Sequence, residues 1–171
     1  MTPVSLNDLS DSFHLLSKNP EKFLEMTQQH LQGNPASERG YYYRHYAWHG
    51  LGRLDLALAD LNACLDLRPY WGTYQARGNI YRQLGSYDSA LADFQKAERL
   101  DPEAWADSYG PLFRAECHAR LGDLNAALSD CACLSDSHWT PGVFGAPAGN
   151  KDEVAAELAR LAAEARPAGK S

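Results

Sequence analysis

A Leu-Gly pair occurs three times in the middle of this 171-residue chain, and its spacing restricts the possible folds more than any other feature. The pairs are Leu51-Gly52, Leu84-Gly85 and Leu121-Gly122, which lie 33 and then 37 residues apart. A related run follows each pair, ALADL at 57–61, ALADF at 90–94 and ALSDC at 127–131. Periods of this length are typical of chains built from one stacked supersecondary unit. The sequence therefore predicts an array of similar units whose core is a continuous seam.

The central unit, from Tyr74 to Pro102, predicts two short helices packed against each other. Apolar and aromatic residues recur at helical intervals, first before Gly85 and then around Phe94. Glycine suits the end of the first helix because it enters the left-handed region without a Cβ clash, and proline stops the second. The small residue Gly78 allows the two helix axes to approach closely. A helix pair this short leaves one apolar face exposed, so it needs neighbouring units.

These units resemble the tetratricopeptide repeat family, whose signature is aromatic-x2-Leu-Gly-x2-Tyr, then Ala-x3-Phe, then Pro. The resemblance covers about residues 38–134. The middle unit carries the signature best, with Arg77 in the place of leucine: Tyr74, Gly78, Tyr81, Ala90, Phe94 and Pro102. The first unit has His45 at the close-packing glycine and otherwise matches at Tyr41, Trp48, Ala57, Leu61 and Pro69. The third is the most divergent and has Pro111, Ala115, His118 and Cys131 at the corresponding places.

The resemblance implies an all-α fold, a right-handed α-solenoid of antiparallel helix pairs. Residues 36–134 are expected to form three repeats, at 36–69, 70–102 and 103–134, preceded by a degenerate helix pair at 1–35 that caps them. The alternative for residues 1–35 is a partly disordered leader. A Gly/Pro-rich loop is expected at 135–149, with Trp139, Val143 and Phe144 folding back onto the last repeat. A capping helix at 150–166 and a tail at 167–171 complete the chain.

Charge and composition exclude several classes of partner. The net charge of −6, without a basic stripe, argues against nucleic acid and against anionic membranes. The chain has no apolar run long enough to span a bilayer, and Asp8 and Asp11 near its start do not suit a secretory signal. Four cysteines without a paired framework favour a reducing, cytoplasmic location. A monomer and a homodimer are both compatible with these features.

No motif in the sequence indicates catalysis, a cofactor or a metal. There is no Gly-rich phosphate loop, no G-x-S-x-G elbow and no H-E-x-x-H, although His45 and His49 lie one helical turn apart. One group of residues from the third unit has metal-ligating side chains: Cys117, His118, Cys131 and Cys133. Positions 118 and 131 hold core residues in the other units, and no pair of C-x2-C motifs is present, which favours packing over zinc. The sequence thus predicts a protein that is not an enzyme.

Arginine and aspartate also recur with the repeat. The arginines are Arg44, Arg77 and Arg114, and the aspartates are Asp60, Asp93 and Asp130. Regularity at the repeat period indicates a structural role, so we predict that each arginine pairs with an aspartate within or between helix pairs.

In the family that this chain resembles, the first helices of successive repeats line a concave groove that binds a peptide or a partner helix. Residues at i, i+4 and i+7 share one helix face, and here they vary between repeats while the packing positions agree. The predicted groove residues are Tyr42, Tyr46, His49, Gln75, Asn79, Arg82, Leu112, Glu116 and Arg120. The competing interpretation is that they are tolerated surface, or that Tyr41 to Tyr43 pack on the N-terminal cap.

The sequence therefore favours an adaptor that binds a protein or peptide in the groove. Family members that grip a C-terminal carboxylate have lysine and asparagine in the first helix pair. Tyr42 and Tyr46 stand there instead, which favours a neutral or mixed peptide over such a carboxylate. The alternative is a secretion chaperone, because tetratricopeptide chaperones of type III systems resemble this chain in length, acidity and a helical N-terminal extension.

Overall fold

The computed structural model describes residues 3–132, residue 134, residues 139–140 and residues 145–165, with only the backbone of 139–140. The chain divides into two compact units, residues 1–74 and residues 75–171. The first contains α1 (Leu6–Asp11), a 3-10 helix (Phe13–Ser17), α2 (Pro20–Gly33), α3 (Glu38–Gly50), α4 (Leu54–Leu67) and the start of α5 (Trp71–Gln83). The second contains the rest of α5, α6 (Tyr87–Leu100), α7 (Pro102–Ala106), α8 (Gly110–Arg120), α9 (Leu124–Ala132) and α10 (Lys151–Ala165). It also contains the two-residue strands β1 (Trp139–Thr140) and β2 (Gly149–Asn150), which pair antiparallel.

The N-terminal segment is helical but not continuous. Its periodicity predicts one helix over residues 5–17, whereas the structure breaks it at Ser12 into α1 and the 3-10 helix. Short 3-10 segments commonly tighten the end of an α-helix, and sequence periodicity alone does not reveal them. The next helix, α2, begins where Asn19 accepts a hydrogen bond from Lys22 N at 2.9 Å, with Pro20 in its first turn. The core of this segment is built on Leu9 and Phe23.

Each of the three repeated glycines ends a helix as the sequence predicts. Gly52, Gly85 and Gly122 have φ angles of 71°, 74° and 82°, in the left-handed region. Each following amide donates to the carbonyl of a residue five positions earlier, such as Ser86 N to Tyr81 O at 2.9 Å. This six-to-one bond satisfies a carbonyl that the helix end would leave without a donor. The same turn therefore connects α3 to α4, α5 to α6 and α8 to α9.

The predicted arginine–aspartate pairs are confirmed and join the two helices of each pair. Each guanidinium donates two hydrogen bonds to one carboxylate, at distances between 2.6 and 2.9 Å. The pairs are Arg44–Asp60, Arg77–Asp93 and Arg114–Asp130. All three aspartates are buried, so the bidentate geometry supplies the hydrogen bonds that a buried carboxylate needs.

The longer connection between the second and third helix pairs carries its own core residue. It forms α7, which places Trp105 at 2% exposure with its ring 5.6 Å from that of Phe94. The predicted role of Trp105, to cover the joint between these helix pairs, is confirmed. A Cβ at Gly110, the first residue of α8, would collide with the Trp105 ring. Glycine at this position lets α8 begin directly against the indole.

The last helix, α10, packs against α8 and α9 through Val154, Leu158 and Leu161, as its apolar stripe predicts. The Asn150 side chain caps it by accepting hydrogen bonds from the amides of residues 152 and 153, both at 3.0 Å. The predictions for Cys133, Val143, Phe144 and the tail at 167–171 lie outside the described residues. Among the helices that the structure describes, none has both the length and the apolar character needed to cross a bilayer.

Candidate binding site

The first unit brings two of the predicted groove residues into an aromatic cluster. Tyr42 and Tyr46 lie one turn apart on α3 and are half-buried, with their rings edge to face at 5.4 Å and their hydroxyls 3.3 Å apart. The Phe13 ring of the 3-10 helix packs edge to face on Tyr46 at 5.3 Å and on Tyr43 at 6.0 Å. Tyr43 also contacts Phe23, at 6.2 Å. For Tyr43, the competing interpretation of packing on the N-terminal cap is therefore confirmed.

This cluster borders an open cavity of about 790 Å³, which we call the aromatic cavity. Its lining residues are Ser10, Phe13, Glu38, Arg39, Tyr42, Tyr43, Tyr46, Arg68 and Tyr70. Phe13 and Tyr70 remain 40% and 39% exposed. The sequence prediction missed these two residues. Tyr70 follows the proline that ends the first repeat, and an aromatic residue at such a junction is the only sequence signal for it.

Three charged side chains surround the polar side of the aromatic cavity. Arg68 lies 3.6 Å from the carboxylate of Glu38 and 5.7 Å from the ring centroid of Tyr70. Arg39, in the first turn of α3, is exposed and forms no ion pair with any residue in the described part of the chain. Two cations and one anion therefore give this rim a net positive charge in a chain whose total charge is −6.

The buried side of the aromatic cluster rests on His45. Its ring lies 4.0 Å from that of Tyr46 and 4.8 Å from that of Tyr42, and the residue is 3% exposed. Its Nδ1 has no hydrogen-bond partner among the described residues. Burial lowers the pKa of His45 to about 3, because the protonated ring would lose its hydration. The imidazole is therefore neutral near pH 7 and acts as part of the apolar support under the two tyrosines.

Acidification is expected to destabilise the protein through His45. Below pH 6.5, the ordinary value for histidine, the unfolded chain binds a proton that the folded chain does not bind until about pH 3. The contribution of the neutral His45 to the free energy of unfolding is therefore complete above pH 6.5, and it falls by roughly 1.4 kcal/mol per pH unit below that value. Urea unfolding at pH 7 and pH 5 should show a loss of about 2 kcal/mol in the wild type that His45→Leu lacks. The exposed His14, replaced by glutamine, is the control; a His45→Leu variant with the wild-type pH dependence would contradict this assignment.

In the second unit, four predicted groove residues are buried rather than exposed. Leu112 is fully buried, and Asn79, Arg82 and Glu116 are 8%, 4% and 4% exposed. The expectation that these four side chains line an open surface is therefore wrong. Their helical spacing is correct, but neighbouring helices place the polar groups against one another, which spacing within one helix cannot show.

Arg82 is the centre of this buried polar group. Its Nε and Nη2 donate to Asn79 Oδ1 at 3.1 and 2.9 Å, and its Nη1 donates to the Glu116 carboxylate. The guanidinium also lies 4.7 Å from the ring centroid of Phe113. Arg120 Nε approaches the second oxygen of Glu116 at 3.6 Å. We call these side chains the Arg82 cluster: Asn79, Arg82, Glu116 and Arg120.

The C-terminal segment lies beside this cluster. Glu116 and Arg120 border a cavity of about 400 Å³ together with residues 145–148 and side chains of α10. Of the remaining predicted groove residues, Gln75 donates a hydrogen bond to Ser108 Oγ at 2.8 Å, and His49 in the first unit is half-buried. Arg120 is the exposed member of the six predicted in the second unit. The aromatic side chains among the predicted groove residues therefore lie in the first unit, where Tyr42 and Tyr46 border the aromatic cavity.

The cysteines do not form a reactive or metal-binding group in the described part of the chain. Cys64, Cys117 and Cys131 are free and buried. Burial raises the pKa of the Cys64 and Cys117 thiols to about 12, which keeps them protonated. No three His, Cys, Asp or Glu side chains among the described residues are arranged to hold a metal ion.

Comparison with known proteins agrees with this architecture. Residues 73–103 match the tetratricopeptide repeat model, which covers the central helix pair. The fold is similar to that of YrrB, a TPR protein with an unusual peptide-binding site, with a TM-score of 0.64 and 18% identity over 96% of this chain and 88% of YrrB. It is also similar to a thermophilic TPR protein of Thermus thermophilus, with a TM-score of 0.55 and 22% identity over 74% and 81% of the two chains. A TPR repeat-containing protein from Cytophaga hutchinsonii gives a TM-score of 0.64 at 15% identity, over 95% of this chain and 65% of that one.

The molecule belongs to the all-α solenoid class of helix pairs, as the sequence predicts. Within that class, residues 73–103 match the tetratricopeptide repeat, and the fold is similar to that of solved TPR proteins. The bacteriophage adsorption protein A of Escherichia coli K12 is 28% identical over 109 residues, which are 58% of this chain. The chain spans only 11% of that relative's length.

Proposed function

We propose that this protein is a non-catalytic interaction module that binds a segment of a partner protein in the aromatic cavity. Tetratricopeptide repeats and the repeat fold support a role in protein–protein interaction. The observation that carries the specific site is the pair of exposed aromatic rings, Phe13 and Tyr70, on a cavity that already contains three tyrosines. Aromatic side chains supply much of the binding energy at protein interfaces and lose little conformational entropy when they bind.

The burial of most predicted groove residues in the second unit favours the aromatic cavity as the binding site. The members of the Arg82 cluster are also predicted groove residues, but three of the four are buried and bonded to one another. A partner would have to break these bonds to use them, and leaving a buried charge without its partner is costly. The aromatic cavity needs no such rearrangement, because its rings are already accessible.

We also propose a cytoplasmic location, which the free, buried thiols of the described cysteines support because they suit a reducing compartment. A non-catalytic role is supported by the protonation states of three buried side chains. His45 is buried without charge, and the pKa values of Cys64 and Cys117 are raised rather than lowered.

Removal of the two exposed rings is expected to weaken partner capture. The double variant Phe13→Ala/Tyr70→Ala should bind its partner about tenfold or more weakly, because interface aromatic side chains commonly contribute more than 1 kcal/mol each. The measurement is a quantitative pull-down from the native host, followed by titration of the captured partner. Leu100→Ala, which removes a side chain that is 51% exposed and outside the cavity, is the control. Equal capture by the wild type and the double variant would refute the proposed site.

A further inference from the structure

We infer that the aromatic cavity selects a peptide segment in which an aromatic or long aliphatic side chain lies next to an acidic one. This ligand class depends on the binding function proposed above. It follows from two neighbouring surfaces of one cavity, the edge-to-face rings and the positively charged rim.

The apolar surface fits a large flat or branched side chain. Phe13 contacts Phe23, Tyr43 and Tyr46 at centroid distances of 5.9, 6.0 and 5.3 Å, all with steeply inclined rings. Each ring in this arrangement directs its positive edge to the face of its neighbour, and a further ring extends the same pattern. The hydroxyls of Tyr42 and Tyr46 contact each other, so they do not require a polar partner from the ligand.

The charged rim selects the neighbouring residue of the ligand. Arg68 is already paired with Glu38 and stacked over Tyr70, whereas Arg39 has no ion pair among the described residues. Arg39 is also in the first turn of α3, where the positive end of the helix dipole disfavours a cation. Helix stability therefore does not explain an arginine at this position. A carboxylate on the ligand would offset both the unpaired charge and the unfavourable dipole.

The carboxylate of Glu38 determines how the ligand is oriented in the cavity. Glu38 precedes Arg39 on α3 and repels an acidic side chain placed on its own side of the rim. The ligand carboxylate is thereby confined to the Arg39 side, while the apolar side chain enters between Phe13 and the tyrosines. A basic segment would meet two arginines and one glutamate and is disfavoured by the net charge of the rim.

Selection from phage-displayed random dodecapeptides on the immobilised full chain tests the ligand class. Peptides that bind the wild type and lose binding to Phe13→Ala should be enriched in an aromatic residue or leucine within two positions of an aspartate or glutamate. Each enriched peptide is then synthesised with the acid and with the matching amide. The acidic form should bind the wild type about threefold to fivefold more tightly, as expected for an exposed ion pair.

The same pair of peptides identifies Arg39 as the selecting residue. Arg39→Gln should bind the acidic and amide peptides equally, and its melting midpoint should not fall, because no contact within the fold is lost. Arg53→Gln is the matched control, since Arg53 is exposed, pairs with Asp55 and lies outside the cavity lining. This control should keep the wild-type preference for the acidic peptide.

The outcomes separate this ligand class from the proposed function. Cavity-dependent peptides without acidic enrichment, or with basic enrichment, would overturn the ligand class and leave the binding site intact. An unchanged acid preference in Arg39→Gln would overturn the assignment to Arg39. The absence of any peptide whose binding depends on Phe13 would overturn both the ligand class and the site.

Discussion

Replacement of Arg82 by methionine is expected to lower the free energy of unfolding by about 3–5 kcal/mol. The substitution leaves the Glu116 carboxylate buried without its closest cation, and it also leaves Asn79 Oδ1 without two donors. Arg120 lies 3.6 Å from Glu116 and is itself partly exposed, so it compensates in part and places the expected effect toward the lower end of that range. Urea unfolding at pH 7 measures the change.

The double variant Arg82→Met/Glu116→Leu is expected to recover most of this loss. With Arg82 and Glu116 both replaced, no unpaired charge remains buried, because Arg120 is partly exposed, and apolar side chains of similar volume fill the same space. The two donors that Asn79 loses account for the part of the stability that is not recovered. Arg160→Met is the matched control in the same unit, because Arg160 pairs with Glu157 and Glu164 while remaining 54% exposed, and exposed pairs contribute only ~0–1 kcal/mol. A single variant as stable as this control would show that the Arg82 cluster is not a buried ion pair.

Gly78→Leu is expected to destabilise the protein by about 3 kcal/mol through overpacking between α5 and α6. A Cβ at this position would lie 2.6 Å from Phe94 Cε1 and 3.3 Å from the carbonyl oxygen of Ala90, so the clash exists before the rest of the side chain is added. The thermal or urea midpoint measures it. Gly33→Leu is the control, since a Cβ on Gly33, the last residue of α2, meets no atom within 4 Å.

The first repeat indicates which substitutions would relieve this clash. The positions equivalent to Gly78 and Phe94 hold His45 and Leu61 in the first repeat, where a larger first residue accompanies a smaller second one. The double variant Gly78→Ala/Phe94→Leu should therefore cost less than the sum of its two single substitutions. Strictly additive effects would indicate that the two side chains do not share one space.

Sequence alone was sufficient for features that are fixed within one helix pair. The glycine turns after α3, α5 and α8 follow from backbone sterics at single residues, and the arginine–aspartate pairs repeat because each joins two helices of the same pair. Asn19 and Asn150 cap their helices through bonds to amides two or three residues away. Such local chemistry is visible in a single sequence because the partners lie at fixed offsets.

The burial of the predicted groove residues cannot be predicted from the sequence in the same way. The burial of Arg82 depends on Glu116, which is 34 residues away and belongs to another repeat. No spacing rule within one helix connects the two residues. Phe13 was missed as a lining residue because it lies in a 3-10 turn, whereas its periodicity predicted a continuous α-helix. Both errors concern how separate elements meet, which depends on three-dimensional packing.

The 3-10 helix that carries Phe13 has a thermodynamic consequence for the aromatic cavity. This helix has only five residues, against thirteen in α3, so its opening requires less free energy than the unfolding of α3. A ligand that touches Phe13 stabilises the closed turn, and by linkage a better-ordered turn raises the affinity for the ligand. Substitutions at residues 14–17 that never contact a partner would thus change its dissociation rate, and the N-terminal segment becomes a place where affinity can evolve without altering the repeats.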